Sequence, residues 1–363
     1  MTPATQLIYM AFGAATYRRE AVFRIVSALT QANRCTHTEP LDVRVLTDAP
    51  SFFGKRPAQT RAIDPDWADP HRYPFRIKHM ILEVALRNCI KAALIDTDTF
   101  FRESPAALPK RVASGKLLSN SIGRPVSEVP LLPCAMLARL KQAEPSLSPL
   151  RQSNSGVIGL MHSDRAVLER PVAWKGELRP LSTKLHTLEG LHLALAAHDR
   201  MELNACANVV HHYWSRKTQF RTKVEAWFAK HNAAPLSKEA MQDRLMISDR
   251  LPHPTQSCRS WQNRVIRLIS GEHRQFIRER LHGCHTYPHE FDRRLTGGWR
   301  GKALSNAQER LGRPLSLNAL QAWLNNPPLK YWPETVIQRC TLIYSLVSQP
   351  TERLAHSCPS RPN

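Results

Sequence analysis

Two aspartates one residue apart, Asp96 and Asp98, close the stretch ALIDTD at residues 93–98. Leu94 and Ile95 precede them and Phe100 and Phe101 follow, so the pair reads as wedged into apolar surroundings, where carboxylates need a counter-charge. Hard oxygen donors suit Mg2+ or Mn2+, ions that commonly complete their coordination with substrate phosphates. On an extended chain residues i and i+2 project to one side. One carboxylate could then reach a metal while the other held the metal, a bound water or a hydroxyl. The bland alternative is a solvated turn after a strand, which needs no ligand.

The elements around the pair decide where it would sit. QLIYMAF (6–12) reads as a buried strand, followed by a helix from about Tyr17 with Thr16 as its N-cap and Val22, Ile25, Val26 and Leu29 on one face. LDVRVLTD (41–48) alternates as a second strand, and a Pro- and Asp-rich loop leads to a helix burying Ile77, Met80, Ile81 and Val84. KAALID is then the strand that delivers Asp96. This β-α-β-loop-α-β order is the pattern of an α/β sheet with helices packed on it, in which ligands bind beyond the carboxyl ends of the strands. KLLSN (116–120), SGVIGLM (155–161) and ANVVHHYW (207–214) read as further strands, and 183–199 as a helix. From about Ser215 the chain turns helix-like and arginine-rich, with one late strand signal at TLIYSLV (341–347).

The hydrophobic fraction of 42% and charged fraction of 22% belong to an ordinary globular chain, and 363 residues suffice for a large core plus an appendage. The net charge of +21 is unusual and implies an anionic partner: nucleic acid, a negative membrane surface or phosphorylated small molecules. Residues 211–363 hold 24 Lys+Arg against 11 Asp+Glu, so 24 − 11 = +13 of that charge lies in the tail. Arg264, Arg267, Arg274, Arg278 and Arg280 beside Trp261, Ile266, Leu268, Ile269 and Phe276 form a solvated basic face, or one suited to a membrane surface or an anionic acceptor. The eight cysteines are scattered with no CxxC pair, which suits reduced thiols. No basic leader and no run of about 18 apolar residues is present, so the expected location is cytoplasmic, at most peripheral to the inner face of a membrane. HGCHTYPH (282–289) bunches His282, Cys284, His285 and His289, but matches no zinc-finger spacing.

Two families share the central motif. A strand followed by D-x-D-x-T opens haloacid-dehalogenase-type phosphatases, and ALIDTDTF fits it, Thr99 included. That family puts the motif on its first strand and adds a downstream acidic pair; here strand-helix units come first and no GDxxxD or DD follows. Residues 6–217 instead resemble GT-A glycosyltransferases, especially bacterial enzymes similar to glycosyltransferase family 8. The resemblance rests on IYMAFGAATYRREAVFRIVSAL, RIKHMIL, LIDTDTFF, SNSGVIGL, TLEGLHLAL and VVHHYWSRK, in that order. It implies a nucleotide-diphospho-sugar transferase domain at 1–217, a Rossmann-like mixed sheet flanked by helices, and a basic, largely helical region at 218–363 for acceptor or membrane contact. It also implies Mn2+ or Mg2+ on Asp96, Asp98 and His212, a nucleotide sugar (a UDP-sugar by resemblance) against Ala11, Tyr17, Lys78, Thr97 and Lys217, and Asn154 and Glu189 at the sugar. The activity implied is retaining transfer to a glycan or glycolipid acceptor in surface polysaccharide or lipooligosaccharide synthesis.

The chain departs from the family at FGAA, where Thr or Asn is common, at Gly190, where a second acid is common, and in lacking the HxxGxxKPW ending. Each residue has a structural reading too. His212 is a third ligand or a satisfied core histidine, with His211 on the opposite face of its strand. Lys78 is a phosphate contact or a solvated helix lysine. Tyr17 stacks on a base or packs under the sheet. Glu189, on the apolar face shared by Leu185, Leu188 and His192, serves sugar binding, catalysis or an ion pair. A nucleic-acid-binding protein on an inactive α/β domain is the reading from another class, but no helix-turn-helix, zinc-finger or RNA-binding signature accompanies the charge.

Overall fold

A computed structural model describes residues 5–34, 42–54, 58–67, 75–128, 133–143, 150–169, 188–267 and 271–312, with single positions at 314, 316 and 318. The chain divides into two compact units, Met1–Asp249 and Arg250–Asn363. The first is built on seven strands: β1 (Thr5–Ala11), β2 (Asp42–Thr47), β3 (Gln59–Ala62), β4 (Lys91–Ile95), β6 (Lys116–Ser119), β9 (Val157–Met161) and β10 (Glu202–Ala205). Their order is β10-β6-β9-β4-β1-β2-β3, with β9 antiparallel to both its neighbours and every other pairing parallel. The α/β expectation of a mixed sheet flanked by helices is therefore what the structure shows. Two short ribbons complete it: β5 (Thr99–Phe101) with β11 (Val210–His212), and β7 (Ile122–Pro125) with β8 (Arg151–Ser153).

Strand alternation sorts the core. Ile8, Leu46, Leu94, Leu117, Ile158 and Leu160 cluster with Ile77, Ile81 and Leu82 of α2 (Phe75–Leu86), and with Leu193 and Ala196 of a helix at Leu188–Ala197. Each such aliphatic side chain contributes roughly 1.5–3 kcal/mol when fully buried. The alternate residues Leu7, Tyr9, Val43 and Val45 are equally buried on the side of α1 (Ala15–Ala32). The α1 register puts Val22, Ile25 and Val26 inside, but the helix starts at Ala15, and the Ala14 cap position makes no side-chain bond. Thr16 is not the cap: the Gly13 amide at the strand-to-helix turn is held instead by Asp48 Oδ2 at 2.9 Å.

In chain order the helices after α2 are α3 (Cys134–Ala143), α4 (Leu188–Ala197), α5 (Lys217–His231) and α6 (Lys238–Met246). The last two pack on α1, with Phe23 edge-on to Phe220 and Trp227, and lie within the first compact unit, which runs to Asp249. The second unit is helical where described: α7 (Gln256–Ile266), α8 (Gly271–Cys284), α9 (Glu290–Arg293) and α10 (Thr296–Leu311). Its core gathers Leu251, Leu295 and Trp299, with His253 and His282 edge-on to the Trp299 ring. The strand read at 341–347 and the first turn of the helix read at 183–199 lie outside the described residues. Among the described residues no helix is long and apolar enough to cross a membrane, and Cys89, Cys134, Cys206, Cys258 and Cys284 are free.

Candidate metal centre at the end of strand β4

The chain leaves β1 toward β2 on one side, while β4 lies parallel to β1 on the other, so the strand order reverses between β1 and β4. Asp96 follows the last residue of β4 at that switch point, the usual crevice of open α/β sheets. The extended-chain expectation for the pair does not hold. Thr97 and Asp98 form a turn, after which the chain leaves the central sheet as β5. The turn brings the carboxylates together, and its backbone is saturated with partners. Asp96 N–H donates to Gly156 C=O at 2.9 Å and Thr99 Oγ1 donates to Asp96 C=O at 2.8 Å. Thr97 C=O accepts from Arg24 Nε at 2.6 Å, and Asp98 C=O from Tyr213 N–H at 3.1 Å.

Asp98 is 5% exposed; its Oδ1 lies 3.1 Å from His212 Nε2 and its Oδ2 2.6 Å from Lys217 Nζ. Burial would raise this carboxyl, but the hydrogen bond and charge of His212, with Lys217, hold it well below the usual carboxylate range. Asp96 takes the Lys78 ammonium at 2.7 and 2.8 Å. The same ammonium reaches Glu189 Oε2 at 3.1 Å, where Ser155 Oγ also donates at 2.8 Å. One lysine faces two carboxylates, and burial pushes Glu189 up to about 7, with Asp96 adding to the rise against the pull of Lys78. Burial works against the Lys78 ammonium as well, yet Asp96 and Glu189 outweigh it and raise its pKa above the ordinary lysine value.

The orientation of His212 follows from its neighbours. Asn154 Oδ1 accepts the Gly156 amide at 2.9 Å, which fixes that atom as the oxygen of the carboxamide. The contact at 2.8 Å between Asn154 Oδ1 and His212 Nδ1 then requires the proton on Nδ1. In the neutral imidazole, Nε2 presents a lone pair to Asp98 Oδ1, an arrangement that needs a proton or a cation between the two acceptors. Donor atoms of Asp96, Asp98 and His212 all lie within 4.8 Å of one another, an oxygen-rich set with one imidazole that fits Mn2+ or Mg2+. Gly156 is part of the geometry, because a Cβ there would stand 2.4 Å from His212 Nδ1.

The structure differs from several sequence expectations. Ala11 is fully buried as the last residue of β1, and the exposed residue at that strand end is Phe12. Thr97 faces α1, its hydroxyl donating to Glu20 Oε2 at 3.4 Å, because the turn aims the side chain between the two aspartates into the protein. Lys78 is 3% exposed, neither solvated nor turned to open space, and serves as the counter-ion of Asp96 and Glu189. Tyr17 is 38% exposed instead of packed beneath the sheet, with the Arg221 guanidinium 5.3 Å from its ring centre. Asn154, Glu189, His212 and Lys217 all join the cluster through the contacts given above. His211 faces away from it, against Asp249 at 2.9 Å. Gly190 also has a physical reason: a Cβ would fall 1.9 Å from the Ser153 carbonyl oxygen, so no second acid fits beside Glu189.

A buried network behind the turn escaped the sequence reading. Glu20 accepts from Tyr213 Oη at 2.8 Å and from Arg221 Nε at 3.1 Å, while Arg24 bonds both the Tyr213 hydroxyl and Thr97 C=O. Burial raises the Glu20 carboxyl, against the pull of Arg24 and Arg221, and burial lowers Arg24 to about 9. The signal was there in outline. Glu20, Arg24 and Ser27 recur at i, i+4 and i+7, a polar stripe on a helix otherwise read only for its apolar face. Elsewhere, His231, Glu239 and Asp243 also converge, but Lys230 Nζ sits 2.9 Å from both carboxylates, an ion-pair cluster complete in itself. His282, Cys284, His285 and His289 form no metal-binding group among the described residues.

No protein-family profile matches the chain. No curated protein matches it. Among solved structures it is similar to the glycosyltransferase GlyE of Streptococcus pneumoniae TIGR4, at 9% identity and a TM-score of 0.35 over 64% of this chain. The match spans about half of that protein (51%), and a likeness this slight carries no functional inference.

Proposed function

We propose that the chain is a metal-dependent glycosyltransferase, moving a sugar from a nucleotide-sugar donor, a UDP-sugar by resemblance, to a glycan or glycolipid acceptor. The observation that carries this reading is the meeting of Asp96, Asp98 and His212 at the sheet's switch point, their donor atoms all within 4.8 Å of one another. Asp96, Asp98 and His212 would hold Mn2+ or Mg2+, which when bound would neutralise charge on a diphosphate leaving group. The protein's own groups do the rest. Lys217, its side chain 45% exposed beside Asp98, is the cation free to turn toward a leaving phosphate. Lys78 pairs with Asp96 and holds Glu189 in place. Asn154 orients His212 from behind, which gives it a role beyond the sugar contact implied by resemblance. Glu189 Oε1, buried and with no hydrogen-bond partner among the described residues, supports a role for this acid at the reacting sugar. Retention at the anomeric carbon and a place in surface-glycan synthesis remain part of the proposal by resemblance, as does contact of the basic C-terminal region with acceptor or membrane.

The test is a panel of UDP-, GDP- and CMP-sugars with Mn2+, scored for donor hydrolysis. Hydrolysis of one donor class, abolished in Asp96→Ala and Asp98→Ala, is the expected result. Hydrolysis untouched by both substitutions refutes the metal centre.

A further inference from the structure

Trp214 is 62% exposed, although indole is among the side chains that gain most from burial. It is not exposed because its surroundings are loose. The preceding Tyr213 is 1% exposed, its hydroxyl on Glu20 at 2.8 Å and its amide on the Asp98 carbonyl at 3.1 Å. On the other side, Arg216 N–H closes the turn onto Tyr213 C=O at 2.8 Å, and its guanidinium reaches Asp249 Oδ2 at 2.9 Å. Asp249 is itself held by His211 Nε2 at 2.9 Å. The 3-10 turn Trp214–Arg216 is thus clamped at both ends, with a large apolar ring held out in water at a defined place.

That place is the edge of the metal centre. One residue, Tyr213, separates Trp214 from His212, which keeps their Cα atoms within about 7 Å. Arg216 and Lys217, with side chains 49% and 45% exposed, lie two and three positions further along the chain and add N–H donors to the same segment. An exposed π face on a segment that also carries hydrogen-bond donors suits a pyranose, which has polarised C–H bonds on one face and hydroxyls at its edge. We propose that Trp214 is the stacking platform for a pyranose ring of the acceptor. The inference rests on the glycosyltransferase reading and names its acceptor class: a glycan whose terminal residue has an open apolar face, as gluco- and galacto-configured sugars do. The donor sugar, tied to its diphosphate, falls on the Asn154–Glu189 side, which leaves the exposed indole to the incoming glycan.

Saturation-transfer NMR on the full chain tests this with methyl β-glucopyranoside, methyl β-galactopyranoside and methyl N-acetyl-β-glucosaminide as probes. Transfer to the ring protons of at least one probe is expected, falling at least fivefold in Trp214→Ala and largely kept in Trp214→Phe. Equal transfer in wild type and Trp214→Ala, or none from any of the three glycosides, overturns the proposal. Calorimetry of UDP with Mn2+ on the wild type reports the donor reading separately. If it shows no binding while Trp214-dependent glycoside transfer persists, the metal reading fails and the platform stands.

Discussion

Gly156→Ala isolates the geometry of the metal centre from its chemistry. The added methyl would lie 2.4 Å from Nδ1 and 2.8 Å from both Cγ and Cε1 of His212, where ordinary contact begins at 3.4 Å. The imidazole must therefore withdraw by about 1 Å, within the stiff packing of a protein interior. The Gly156 backbone is not in the left-handed region, so alanine brings no conformational penalty of its own. A shift of that size breaks the 2.8 Å bond to Asn154 and misaligns the 3.1 Å contact with Asp98. A neutral bond is worth about 0.5–1.5 kcal/mol and a charged one about 1.5–3, so the loss is roughly 2–4 kcal/mol. Losing the partner that orients a ligating histidine weakens metal binding by about 10–100-fold. Calorimetry with Mn2+ should show that loss, and 15N spectra of the His212 ring should show Nδ1 no longer uniquely protonated. Mn2+ affinity within twofold of wild type, with the Nδ1–H tautomer kept, would refute the reasoning.

Other substitutions probe the supports. Lys78→Met leaves the buried Glu189 and the partly buried Asp96 without their cation, and should cost about 3–5 kcal/mol in urea unfolding. Adding Glu189→Gln should recover part of that loss, giving a coupling above about 1 kcal/mol in the double-mutant cycle; strict additivity would show that the pair is not coupled. Asp249 titrates near 2: burial raises it, but the His211 hydrogen bond and Arg216 prevail and depress it from 3.8. A depressed carboxyl stabilises the fold above its unfolded value and loses that contribution as pH falls from about 4 toward 2. Because Arg216 is half exposed, solvent screening limits the effect to about 1–2 kcal/mol. Asp249→Asn should therefore be less stable than wild type by that amount at pH 7, with the difference shrinking steadily as pH falls from about 4 through about 2.

How much of this was readable beforehand differs between elements. The strands of the central sheet that are apolar runs (β1, β4 and β9) were legible because both their faces are buried. The edge strand β3, with sequence QTRA, carries no apolar pattern, and its pairing with β2 at the sheet edge overrides local propensity. β5 was invisible because residues after the aspartates looked like a return to the core, whereas Phe100 and Phe101 pair with His211 and Val210. Asp96 and Asp98 could be found as a motif. That Lys78 pairs with both Asp96 and Glu189 could not be found, since Lys78 and Glu189 are 111 residues apart and meet only through the fold. Glycines were the least readable: Gly156 and Gly190 are ordinary letters until the His212 ring and the Ser153 carbonyl are seen against them.

Binding of Mn2+ followed by electron paramagnetic resonance, on wild type beside Asp98→Asn, tests the central claim most directly. Asp98→Asn keeps the shape of a side chain that His212 and Lys217 both engage, and removes its charge. The account predicts one bound Mn2+ per wild-type chain and a loss of affinity of about 100-fold or more in the variant. Equal Mn2+ binding by the two proteins, or none by the wild type, would contradict it.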